Sequence, residues 1–179
     1  LGGIGDTKQL LRLTSRKRLR TSVSRGSVVR LGRGRFAVPA ADHGLLAAQE
    51  VNGYLSHLSA AAHWGWEIVL PPERPQITLP RKRRVPTELT RPVELYRREV
   101  SSADFEGWAT HPLRTVVDCS RDLPFATALA VADSALRHCR VTAEELGAAT
   151  AVMRGERGRA ARFVATHADA RSVNAFESA

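Results

Sequence analysis

The chain has 179 residues, enough for one ordinary domain or a small domain joined to a medium one, and 43% of them are hydrophobic, enough for a sizeable core. It contains no apolar run near the ~18 residues that span a bilayer and no secretory leader pattern, which argues against membrane insertion and for the cytoplasm. There are 27 Lys and Arg against 18 Asp and Glu, a net charge of +9, and its distribution says more than its size.

Residues 1–40 hold Lys8, Arg12, Arg16, Lys17, Arg18, Arg20, Arg25, Arg30, Arg33 and Arg35 against Asp6 alone, ten cations to one anion. The other 139 residues carry 17 of each sign, so the whole excess sits in the N-terminal segment. That asymmetry is the footprint expected of a module that binds a polyanion.

Taken in chain order, Asp6 or Thr7 can cap a helix over TKQLLRL, with Leu10, Leu11 and Leu13 expected on its buried side. Thr14 interrupts the pattern. Ser15 can then cap a second helix over residues 16–25, in which Leu19 and Val23 stand four apart and face inward. Gly26 is placed to stop it. Val29, Leu31, Phe36 and Val38 flank Gly32-Arg33-Gly34, which predicts two short strands around a turn, closed by Pro39. Helix, turn, helix and hairpin in that order predict a winged helix-turn-helix DNA-binding domain over residues 1–40. Its second helix would offer Ser15, Arg16, Lys17, Arg20, Ser24 and Arg25 to base edges and phosphates, and its wing Arg33 and Arg35 to the backbone or minor groove.

Residues 41–179 read as a mixed second domain. Helices are predicted from Asp42 to Asn52 and from Ser56 to Trp64, followed by a Pro-rich linker over residues 69–75. ITLP and VELYRREV read as strands, with Arg81, Lys82, Arg83 and Arg84 in a loop between them. This run is either a solvated loop or a second contact to the DNA backbone, extended by Arg97 and Arg98. Four helices follow: LRTVVDCSRDL; LPFATALAVADSALRHC, with Leu129, Ala132 and Leu136 on one face; ELGAATAVM, behind a Thr142/Glu145 capping box; and GERGRAARFVATHA. The fold class expected is α+β: a winged helix, then a small sheet and a helical bundle.

Chemistry-bearing motifs are sparse. Cys119 and Cys139 lack CxxC spacing and are expected to be buried free thiols. His57 and His63 are six apart and do not share a helical face, so no metal site is expected. His111 stands at a helix entrance, where a local structural role is expected. Arg114 and Asp118 have the spacing of an ion pair along one helix. No cofactor is implied.

The blocks GDTKQLLRL, SRKRLRTSVSRGSVVRLGRGRFAVP, GYLSHLSAAAHWG, PPERPQITLPR and HPLRTVVDCSRDLPFATALAVADSALR, in that order, resemble actinobacterial AbiEi-type antitoxins of type IV toxin–antitoxin systems. The resemblance spans nearly the whole chain. It implies a winged helix that represses its own operon, so the partners expected are double-stranded DNA of the promoter and a nucleotidyltransferase-like toxin. In many relatives a very-short-patch-repair-like endonuclease domain follows, and the terminal NAFES resembles its first helix, which would place Glu177 near a metal site. The later acidic residues of such a site are absent, so these residues cannot be that nuclease, and a C-terminus cut at the start of a further domain is expected. The function expected is sequence-specific transcriptional repression rather than catalysis. The alternative is the DNA-targeting portion of such an endonuclease.

Overall fold

The computed structural model describes residues 3–32, 34–38 and 42–172. It is a mixed α+β structure with two small sheets, in which the described helices are all too short or too polar to cross a membrane. Arg33, Pro39 and Glu177, all singled out above, lie outside the described residues.

The N-terminal unit begins with β1 (Ile4–Asp6), followed by α1 (Thr7–Leu13) and α2 (Arg16–Ser24), then β2 (Val29–Gly32) and β3 (Arg35–Ala37). The strands form an antiparallel sheet in the order β1-β3-β2, with a register shift between Arg30 and Gly32. Asp6 is the cap of α1: its carboxylate accepts from the Gln9 N–H at 2.7 Å, and the Gln9 side chain reaches back to the Asp6 N–H at 2.9 Å. Ser15 caps α2 through the Arg18 N–H. Gly26, at φ +72°, takes the left-handed turn that ends α2, a conformation glycine adopts without a Cβ penalty. Leu13 departs from expectation and is 72% exposed, because at about 100° per residue Leu11 and Leu13 project from nearly opposite sides of α1 and cannot share one buried face.

Next come α3 (His43–Glu50), β4 (Tyr54–Leu55), α4 (His57–His63), β5 (Gln76–Pro80), the short α5 (Thr87–Thr90), β6 (Glu94–Arg98), β7 (Phe105–Glu106) and β8 (Ala109–Thr110). They build a second sheet in the order β6-β5-β4-β8-β7. β5 and β6 are parallel, and the chain between them, carrying the basic run and α5, supplies the long crossover that parallel neighbours need. Four helices complete the fold: α6 (Pro112–Asp122), α7 (Phe125–Arg137), α8 (Ala143–Ala151) and α9 (Gly155–His167). Pro112 occupies the first turn of α6, where its missing N–H costs nothing. The Thr142/Glu145 box closes both ways on α8.

Two cores result. One lies among the helices and includes Leu58, Val116, Cys119, Val131, Ala135, Leu146 and Val164. The other joins the sheets, and in it Ile4 and Ala37 of the N-terminal unit pack with Leu45, Val51, Leu55, Ile77 and Leu79. The N-terminal unit is thus seated on the second sheet through shared apolar burial. Cys119 is buried, and that burial raises its thiol pKa well above the usual range. Cys139, expected to be buried, is exposed: it follows the last turn of α7 at φ +53°, beyond the face that packs.

Candidate nucleic-acid interface

The α2 sequence RKRLRTSVS contains no acid, and its single buried residue is Leu19. A helix rotates about 100° per residue, which sorts its polar residues onto two sides. Lys17, Arg18, Thr21, Ser22 and Arg25, with Thr14 and Ser15, line one shallow concavity. Arg16, Arg20 and Ser24 line another, over an apolar floor of Leu11, Leu19, Val23 and Phe36. The six residues expected to act together on this helix are therefore divided. Ser15, Lys17 and Arg25 share the fully polar side, whereas Arg16, Arg20 and Ser24 border the apolar groove. Arg16 and Arg20 fall within about 60° of Val23, close to the inward direction rather than opposite it. Arg18, which sequence reasoning passed over, sits on the fully polar side and is exposed.

The hydroxyls on α2 are partly committed. Thr21 donates to the Lys17 carbonyl at 3.1 Å and Ser24 to the Thr21 carbonyl at 2.9 Å, so their oxygens can still accept but their protons are spent on the helix. The Ser15 oxygen accepts from the Arg18 N–H at 3.3 Å, leaving its proton free to donate at the positive end of the helix.

Arg35 points elsewhere. Its guanidinium donates to the Asn52 side chain at 2.6 Å and to the Gln49 carbonyl at 3.2 Å, and lies 5.6 Å from the Trp108 ring centroid. It ties the hairpin to the second sheet instead of standing free beside α2. Arg81, Lys82, Arg83 and Arg84 are exposed and leave the end of β5 in a tight turn: the Arg81 N–H bonds the Arg98 carbonyl at 2.8 Å, and the Arg83 N–H bonds the Pro80 carbonyl at 2.9 Å. Arg97 is exposed, and its guanidinium donates to the Arg83 carbonyl, which holds its charge beside this run. Arg98 does not extend the run, since it turns inward to Asp122 at 2.6 Å.

The Arg98–Asp122 pair belongs to a polar network that sequence spacing did not reveal. Asp122 also meets His57 Nε2 at 3.3 Å, with Arg121 and Arg157 both at 3.7 Å. Burial alone would raise the Asp122 pKa; the hydrogen bonds from His57 and Arg98, aided by the arginine charges, outweigh it and hold the group at about 2. His57 is wholly buried at φ +49°, stacked 3.6 Å from Tyr96, with Nδ1 3.0 Å from Ser56 Oγ. Tyr96 donates to Glu94 at 2.6 Å, and burial together with that bond raises the phenol pKa. Ser56, His57 and Asp122 imitate the order of a hydrolytic relay. However, Ser56 and His57 have 0% exposure and the Asp122 side chain 6%, so the hydroxyl has no path to a substrate and the string acts as structural glue between sheet and helices. Its members stand 65 positions apart, beyond the reach of local pattern reading. Arg114 forms the expected bond to Asp118 at 2.8 Å and a second to Asp104 at 2.9 Å, fastening α6 to the turn before β7. His111 opens α6, as its position suggested.

No protein-family model matches the chain, and no curated protein matches it. Among solved structures, it is similar to the RV2827C protein from Mycobacterium tuberculosis, at 17% identity and a TM-score of 0.50, over 98% of this chain and 74% of that one. At that identity the likeness speaks for the mixed α+β fold alone.

Proposed function

We propose that the chain is a sequence-specific DNA-binding repressor whose N-terminal unit is a winged helix-turn-helix, with α2 as recognition helix and the β2–β3 hairpin as wing. The observation that carries the reading is the acid-free polar side of α2: Ser15 at its positive end, then Lys17, Arg18, Thr21 and Arg25, all held outward by the burial of Leu19. Such a side can enter a major groove and meet both phosphates and base edges. Arg16 and Arg20 flank it, Arg35 braces the wing, and the exposed residues 81–84 are the candidate second backbone contact. The order of sequence blocks supports the narrower reading, an autoregulating antitoxin of the AbiEi type that acts on its own promoter and answers to a nucleotidyltransferase-like toxin.

The test is fluorescence anisotropy with a duplex taken from the DNA preceding its own gene, against a scrambled duplex, between 50 and 200 mM salt. Lys17→Ala and Arg18→Ala should each cost about 1–3 kcal/mol on the promoter where the side chain reads a base. Where it meets phosphate, each should weaken both duplexes alike and flatten the salt slope by about one. Arg35→Ala should leave that slope unchanged. Equal affinity of the wild type for promoter and scrambled DNA, or an unaffected Lys17→Ala/Arg18→Ala double variant, would overturn the reading.

A further inference from the structure

Between the hairpin and the second sheet lies a cleft of about 310 Å³, lined among others by Arg35, Asn52, Tyr54, Arg83, Phe105 and Trp108. Its size falls at the lower end of small-molecule sites, about 300–1,000 Å³. Arg35 and Arg83 are its charged lining residues, and no carboxylate is among the residues that line it. They come from separate elements, the start of β3 and the loop after β5, so the fold brings two cations to one cleft that neither segment forms by itself.

The aromatic side is equally built. Tyr54 and Phe105 stack with centroids 3.7 Å apart and planes 11° from parallel, and Trp108 carries Arg35 against its ring. All three rings are half-buried, which leaves aromatic surface in the cleft. Arg35 is pre-positioned by Asn52 and the Gln49 carbonyl, so placing it against an anion costs little further ordering. The Asn52 side chain uses its oxygen on Arg35, which leaves its amide group as a donor.

We infer that this cleft binds a nucleotide unit, with the base against the Tyr54, Phe105 and Trp108 rings and the phosphate on Arg35 and Arg83. Aromatic faces beside guanidinium groups suit an aromatic anion: stacking accepts any base, and the cations select the phosphate. The same chemistry is offered by a free mononucleotide and by one nucleotide of a single strand. The inference stands apart from the duplex reading of α2, since it uses none of the residues on that helix.

The experiment follows the indole N–H signals of the three tryptophans by 15N–1H NMR on the whole chain, with Trp108 assigned through Trp108→Phe. The Trp108 indole N–H is buried without a hydrogen-bond partner among the described residues, so its signal is free to report on the adjacent cleft. Adenosine 5′-monophosphate and an eight-nucleotide single strand of deoxyadenosine are titrated separately, with inorganic phosphate as a third arm. A saturable shift of the Trp108 signal, weakened about tenfold by Arg83→Ala, supports the assignment. Response to the mononucleotide alone identifies a free nucleotide as the ligand, and response to the strand alone identifies a strand unit. Arg83 is exposed on a loop, so its removal leaves the core intact; Tyr54→Leu, checked by thermal melt, removes half of the stack and should also weaken binding. Phosphate as effective as the nucleotide would reduce the cleft to an anion site and overturn the inference. So would an unmoved Trp108 signal in all three arms, or an Arg83→Ala variant that binds as the wild type does.

Discussion

Asp122→Asn isolates the charge at the centre of the buried network while keeping its shape and one acceptor oxygen. In the folded protein the Asp122 carboxyl sits at about 2 against an ordinary 3.8, held there by His57 and Arg98 against the effect of burial. That lowering corresponds to about 2 kcal/mol of folding free energy, since each unit is worth about 1.4 kcal/mol. Losing a partner outright from a buried ion pair costs about 3–5 kcal/mol, and Asn should fall below that range because it still accepts a hydrogen bond. For a chain of this size the expected drop in Tm is about 4–8 °C. The sign follows from the lowered pKa: the stabilisation is fully present above the unfolded value near 4 and is lost as pH falls through about 2. Urea unfolding of wild type and variant from pH 7 down to pH 2 should therefore show a gap that is constant above about pH 5 and closes toward pH 2. A gap that stays constant to pH 2, or no gap at pH 7, would refute the argument. The effect should also reach the surface, because Arg98, held by Asp122, accepts through its carbonyl the N–H of Arg81 at the base of the basic loop.

Gly53→Ala should cost about 1–3 kcal/mol in chemical denaturation, because an added Cβ would lie 2.4 Å from Ile77 Cγ2 and 2.8 Å from Leu79 Cδ2, both on fully buried strand residues; a loss below about 0.5 kcal/mol would mean the strand can yield. A chromogenic thiol reagent should modify one cysteine, Cys139, in the native protein and reach Cys119 only on unfolding; two fast thiols would contradict the burial of α6. Thr142→Ala should destabilise by about 1 kcal/mol through loss of the α8 cap, readable by thermal melt, and an unchanged Tm would show that the box contributes nothing. Leu13→Lys should leave stability within about 0.5 kcal/mol of wild type, and a larger loss would place Leu13 in a contact its exposure does not indicate.

The elements legible in the sequence are those whose signals are local. Asp6, Ser15 and Thr142 as caps, Gly26 as a stop, the ion-pair spacing of Arg114 and Asp118, and the apolar face of α7 all act within one or two turns, and each is found where the pattern placed it. The concentration of charge in residues 1–40 is likewise a property of the sequence alone. Short strands such as β4, β7 and β8 escaped because two residues carry no periodicity; their pairing comes from Tyr54 meeting Thr78 and Glu106 meeting Ala109 across the fold. Leu13 and Cys139 were misjudged for a related reason: apolar character states a preference for burial, whereas the packing of neighbouring elements decides which residues obtain it.

On the candidate interface, composition singled out α2, but helical rotation about Leu19 decided which cations share a side, bringing Arg18 in beside Lys17 and setting Arg16 and Arg20 at the groove. Arg35 and Arg98 read as free cations in the sequence. Tertiary contacts gave one to Asn52 and the other to Asp122, because a buried or half-buried charge is stable only where a partner is brought to it, and in this fold those partners arrive from distant positions.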